Sequence, residues 1–78
     1  MMGKCPKCDD NVKKVVTRHH VLPQRHFKGA GPIIPLCPTH HREIERLIPF
    51  VRLPERFYYR VVELFIGKDY RKYLVRLQ

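Results

Sequence analysis

Cys5 and Cys8 stand three positions apart, and Cys37 and His40 repeat that spacing later in the chain. Thiolates and imidazoles are the usual donors of closed tetrahedral zinc sites, so the two pairs together supply the three sulfurs and one nitrogen that a structural Zn²⁺ takes. Pro6 and Pro38 follow the first ligand of each pair, and the 28 residues from Asp9 to Leu36 would be tied into a loop by the metal. The competing reading makes Cys37 a buried thiol and Cys5 with Cys8 an unrelated redox pair. A zinc site accounts for all four residues at once and suits a 78-residue chain, which has room for one modest core and needs an added staple.

The histidines carry a second kind of chemistry, because four of the five occur as adjacent pairs, His19-His20 and His40-His41. Neighbours on a strand point to opposite faces, and neighbours at a helix start diverge by about 100°, so each pair can divide its labour. With His40 turned toward zinc, His41 is left to share a helix face with Glu45, four residues on. That imidazole and carboxylate, joined by His19 from a strand, can hold a catalytic divalent cation with positions left open for water and a phosphate oxygen. His20 is then free for proton transfer as a general base, since an unperturbed imidazole titrates at about 6.5. The competing reading leaves Glu45 as a surface carboxylate paired with an arginine and the imidazoles as packing groups. His26, between Arg25 and Lys28 in a basic loop, suits a phosphate contact or plain solvent exposure better than a metal.

The elements that must position these residues follow from local pattern. A cysteine-bearing turn is expected over 3–11, closed by Asp9, Asp10 and Asn11, and a strand over Val12 to Arg18 running into His19 and His20. Val21 to Pro32 reads as a loop, and Ile33 to Cys37 as a short strand antiparallel to the first, restricted by Pro35. The spacing of Ile44, Leu47 and Ile48 predicts a helix from near Thr39 that Pro49 stops. A second helix is predicted from Pro54 to Ile66 with Phe57, Val61, Leu64 and Phe65 on its apolar face. A last helix, capped by Asp69, would place Tyr70, Tyr73, Leu74 and Leu77 on one side.

Sixteen Lys and Arg against seven Asp and Glu give a formal charge of +9, which suits a polyanionic partner. From Asn11 to Arg42 there is no acidic residue, while Lys13, Lys14, Arg18, Arg25, Lys28 and Arg42 are basic, so this stretch should attract phosphate. Three cysteines cannot all pair within one chain and the start lacks the apolar run of a signal peptide, which points to reduced thiols and a cytoplasmic location. No apolar run approaches the ~20 residues of a membrane span, so no membrane partner is expected.

The order CPKC, HHVLP, then a short apolar run leading into LCPTHHREIE resembles the HNH endonucleases over about residues 3 to 48. The resemblance implies an α+β fold, a small treble clef of the ββα-metal type with a structural zinc knuckle (1–48). Residues 49–78 would form a C-terminal helical extension of the same single domain. It implies metal-dependent hydrolysis of DNA phosphodiesters, one strand per event. His19 and His41 match the family's ligands for the catalytic metal (Mg²⁺, Mn²⁺, Ni²⁺ or Zn²⁺), and His20 matches the base that activates the attacking water. Glu45 stands where many members have a final histidine and would act as a substitute ligand. Arg18 and Arg42 flank the site and, from charge and proximity, could contact phosphate.

Pro32 stands where many members have a central asparagine, so a backbone carbonyl would have to hold the other nitrogen of His20. Two further readings therefore remain. One is a catalytically degenerate HNH fold that binds DNA without cleaving it, and the other a small zinc-dependent adaptor for other proteins. Monomer and homodimer both remain open, as does service within a phage, restriction or mobile-element system.

Overall fold

The computed structural model describes residues 2–8 and 12–76, which form a small α+β domain with two small sheets and helices. Strands β1 (Met2–Gly3) and β2 (Lys14–Val15) pair antiparallel at the base of the first cysteine pair. The second sheet has the order β3 (Thr17–His20), β4 (Pro32–Leu36), β5 (Val75–Arg76), antiparallel throughout. Helices α1 (Gln24–Phe27), α2 (Pro38–Glu45) and α3 (Glu55–Ile66) and a 3₁₀ turn (Tyr70–Tyr73) complete the described chain. No helix among the described residues is long and apolar enough to cross a membrane.

The antiparallel β3–β4 pairing appears as expected, with Thr17 opposite Leu36 and His19 opposite Ile34, but the strand expected from Val12 into His20 is divided between the two sheets and Cys37 lies beyond β4. Side chains of one register pair share a sheet face, so Thr17, His19, Ile34 and Leu36 turn together toward the core, where Ile34 and Leu36 are completely buried. Pro35 is tolerated because of its phase. Val21 N donates to the Pro32 carbonyl at 3.1 Å, which makes every second pair, 21/32, 19/34 and 17/36, a position bonded across the ladder. Pro35 falls between them with its nitrogen turned away from β3.

The stretch expected to be only a loop holds the four-residue helix α1, which ends where Lys28 adopts a left-handed conformation (φ 53°). The return to β4 needs Gly31: its φ is +90°, and a Cβ there would lie 2.8 Å from Leu22 Cδ1.

Helix α2 starts with Pro38 at its first position, Cys37 as N-cap, and stops at Glu45 rather than running to Pro49. Pro49 disfavours helical geometry at Ile48, and the chain tightens through Leu47 N to Ile44 O (3.0 Å) and Ile48 N to Glu45 O (3.3 Å). Leu47 consequently leaves the predicted stripe and lies exposed, while Ile44 is buried.

Helix α3 has the expected extent, but its buried face comprises Tyr58, Val61 and Val62, with Phe57 and Phe65 half-buried and Leu64 72% exposed. The two stripes overlap in sequence. The inner one is favoured because the Tyr58 hydroxyl accepts from Leu53 N (3.0 Å), which satisfies a polar tip inside the core.

The predicted last helix is a single 3₁₀ turn with Asp69 before it but no side-chain cap. The chain then extends so that Val75 and Arg76 pair with Ile33 and Pro32. A few ladder bonds and the burial of Tyr70 outweigh the weak gain of two isolated helical turns. The turn expected at Asp9–Asn11 and the packing of Leu77 lie outside the described residues.

Two candidate metal centres

Cys5 and Cys8 lie in a turn after β1, closed by Cys8 N to Cys5 O at 3.1 Å. Cys37 sits at the junction of β4 and α2, and His40 in the first turn of α2. His40 Nδ1 stands 3.5, 3.4 and 3.3 Å from the sulfurs of Cys5, Cys8 and Cys37, and the Cys8 and Cys37 sulfurs are 3.9 Å apart. A tetrahedron built on Zn–S of about 2.3 Å and Zn–N of about 2.0 Å has edges of roughly 3.5–3.8 Å. The donors therefore fit a zinc-sized ion, and all three cysteines are free thiols. Helix α3 closes over this turn: Lys7 Nζ donates to the Phe65 carbonyl (2.8 Å) and lies 4.7 Å above the Phe65 ring, whose edge meets His40.

The thiols do not titrate alike. For Cys5 the largest influence, burial, pushes the thiol up, but it is outweighed by the backbone N–H of Cys37, the His40 ring and the N–H groups of Lys7 and Cys8, which bring it down to about 7. Cys8 is pushed up to about 11 by desolvation, then by its contacts with Cys5 and Cys37. At pH 7.5 Cys8 is thus protonated and Cys5 only partly so, and a metal that takes thiolates must displace those protons. Zinc binding is expected to release more than one proton, and affinity to rise with pH and fall on acidification. Titration calorimetry in two buffers of different ionisation enthalpy checks this, and identical apparent enthalpies would refute it.

The second cluster joins the core face of β3 to the outer turns of α2. One donor atom each from His19, His41 and Glu45 lies within 4.8 Å of the others. His19 is 1% exposed, and its Nδ1 is 3.1 Å from Glu45 Oε2, within ion-pair reach but not aligned for a hydrogen bond, and its Nε2 makes no hydrogen bond among the described residues. A buried imidazole nitrogen left unsatisfied is costly. The rings of His19 and His41 meet edge to face at 5.5 Å. The Glu45 carboxyl is held below the usual carboxylate range, first by its contact with His19, against partial burial. His41 is pushed down by burial, then by His19, with Glu45 opposing.

Thr17, which sequence reasoning passed over, also belongs to this cluster. Its hydroxyl donates to the Leu36 carbonyl (3.0 Å) and is hydrogen-bonded to His41 Nδ1. The signal was the period of the strand, which puts residue 17 on the same face as residue 19.

His20 is the last residue of β3, on the alternate phase to His19, half-buried and outside the cluster, though its charge contributes to lowering His41. Arg18 shares the His20 phase and is exposed, and Arg42 is exposed beside His41 on α2. His26 is neither a free loop side chain nor near a donor cluster: its Nε2 donates to the Phe50 carbonyl (2.8 Å), tying α1 to the α2–α3 connection, as does Arg25 to the Pro49 carbonyl (3.1 Å). Among the described residues, no hydrogen bond or ion pair joins the arginines of 52–76 to either cluster. Arg56, Arg71 and Arg76 line an open cleft of about 790 Å³ beside Tyr59, and Glu63 at its rim is engaged by Arg60 (2.6 Å).

No family model matches the chain, and neither a curated protein nor a solved structure does.

Proposed function

We propose that this chain is a treble-clef, ββα-metal protein of the HNH type that hydrolyses DNA phosphodiester bonds, cutting one strand per event. The observation that carries the reading is the convergence of a buried His19 with His41 and Glu45 beside a separate Cys₃His cluster, on a chain of charge +9. The Cys₃His cluster is read as the structural zinc knuckle, followed by the β3–β4 hairpin and helix α2 as the clef.

A divalent cation bound by His19, His41 and Glu45 would stabilise the charge that develops on the phosphate and on the departing 3′ oxygen. His20 takes the proton of the attacking water on a ring nitrogen, for which it is free because its ring makes no hydrogen bond with another described residue. Arg18, on the same strand phase, and Arg42, next to His41, hold non-bridging phosphate oxygens. Arg56, Arg71 and Arg76 extend the contact along the backbone, without reading bases. The product carries a 5′ phosphate.

One observation favours a second reading, in which the domain grips DNA without cutting it. The Pro32 carbonyl, which stands at the position of the family's asparagine, accepts Val21 N instead of holding a nitrogen of His20. Nicking of supercoiled plasmid separates the two. The zinc-loaded protein is assayed with no added metal or with Mg²⁺, Mn²⁺, Ni²⁺ or further Zn²⁺, beside a His20→Ala variant. Metal-dependent nicking that falls at least about 100-fold in the variant is expected, the range of a lost general base. Salt-sensitive DNA binding with no nicking under any metal would replace the enzyme with the binding module.

A further inference from the structure

We infer that Thr17 is a positioning residue that locks the His41 ring in the tautomer with its proton on Nδ1, leaving Nε2 as the nitrogen with a lone pair to offer a cation in the cluster with His19 and Glu45. The inference rests on the reading of that cluster as a cation site, and its first step stands on hydrogen-bond arithmetic alone.

A threonine hydroxyl has one proton and two lone pairs. The Leu36 carbonyl can only accept, so its 3.0 Å contact with Thr17 Oγ1 requires the hydroxyl proton to lie between them. Otherwise two oxygens would face each other lone pair to lone pair in the core. With its proton committed, Thr17 can only accept from His41, so Nδ1 carries the hydrogen in their bond. A neutral imidazole has one N–H, and Nε2 is then the basic nitrogen.

The scaffold makes this arrangement hard to reverse. Leu36 is the register partner of Thr17 in the β3–β4 ladder and is completely buried, so the acceptor that orients the hydroxyl is fixed by the sheet. Strand alternation places Thr17 and His19 on one face, where α2 delivers His41 and Glu45. One strand thus contributes a donor to the cluster and, two residues earlier, the group that fixes the ring of another donor. Metal-binding histidines commonly depend on such a partner for the nitrogen they do not use, and its loss costs about 10- to 100-fold in metal affinity.

The test compares Thr17→Val, which keeps the β-branched shape, and Thr17→Ser, which keeps the hydroxyl, with the unmodified protein. Each carries one equivalent of zinc, which the thiolates take first. Long-range ¹H–¹⁵N correlations of the His41 ring report the tautomer, and calorimetric titration with Ni²⁺ reports the second cluster. The expected result is Nδ1–H in the unmodified and Ser proteins, its loss in the Val variant, and Ni²⁺ binding about 10- to 100-fold weaker in Val alone. An Nε2–H ring in the unmodified protein, or an unchanged tautomer in Thr17→Val, overturns the inference. So does a changed tautomer with unchanged Ni²⁺ affinity, which would remove the positioning role. A tautomer that responds to Thr17 in a protein whose second cluster binds no Ni²⁺ would support the lock and overturn the cation reading on which the proposed function rests.

Discussion

Stripping the metal from the Cys5, Cys8, Cys37 and His40 cluster should unfold the domain rather than loosen one turn of it. Structural zinc in small domains contributes apparent free energies of about 10–16 kcal/mol near neutral pH, against about 5–15 kcal/mol for the whole stability of a typical domain. Here the four side chains join the first turn of the chain to the junction of β4 and α2, and Phe65 of α3 packs on the cluster, so an ion held there would tie together three parts of the core. Chelated protein, and a Cys8→Ser variant in zinc-containing buffer, are expected to lose the cooperative thermal transition in circular dichroism. Added zinc should restore it in the chelated protein and not in the variant. A metal-free protein that still melts cooperatively with dispersed amide resonances would show that the apolar core suffices. Glu43→Gln serves as the control, since its side chain is exposed on α2 and belongs to neither cluster, and it should melt with the unmodified protein.

The second large effect belongs to Tyr58, which is completely buried and meets Phe27 and Phe57 edge to face at 5.7 and 5.5 Å. Truncation to alanine should destabilise the zinc-saturated protein by about 3–5 kcal/mol, through lost transfer energy and the cavity left behind. Tyr58→Phe isolates the hydroxyl, which accepts Leu53 N at 3.0 Å and donates to the Val51 carbonyl at 3.4 Å. Leu53 is only half-buried and water can partly replace the lost acceptor, so about 1 kcal/mol is expected, the low end for an orphaned donor. Urea unfolding at fixed free zinc measures both. A Phe variant as stable as the unmodified protein would mean that the inner face of α3 is chosen by packing alone.

Both donor clusters were legible in the sequence because ligand chemistry restricts residue type and spacing whatever the surroundings. CxxC and CxxH pairs, and His41 four residues before Glu45, leave few alternatives once a helix is granted. The β3–β4 pairing was legible because β-branched residues and a short apolar run between turn formers identify strands. What could not be read were the outcomes decided by a partner distant in sequence. Val75 and Arg76 extend because Pro32 and Ile33 offer them a ladder, and nothing within residues 69–78 announces that. The face of α3 turned on where the Tyr58 hydroxyl found a donor, and His26 left the basic loop because the Phe50 carbonyl was within reach. Thr17 was hidden for another reason: a threonine in a strand is ordinary, and its meaning lies in the single proton that Leu36 already claims.

The phase of Pro35 bears on how the molecule behaves in concentrated solution. On the side of β4 that faces away from β3, the outward backbone nitrogens belong to alternate residues, and of these Ile33 is taken by β5 while Pro35 has no hydrogen to give. Past the two-residue reach of β5, an incoming strand therefore finds no amide donor on that border. Exposed strand borders are common nucleation points for edge-to-edge aggregation, and natural sheets blunt them with proline and short flanking strands. This domain has both on that border, so a neighbouring chain that meets β4 beyond the end of β5 finds no ladder to join there.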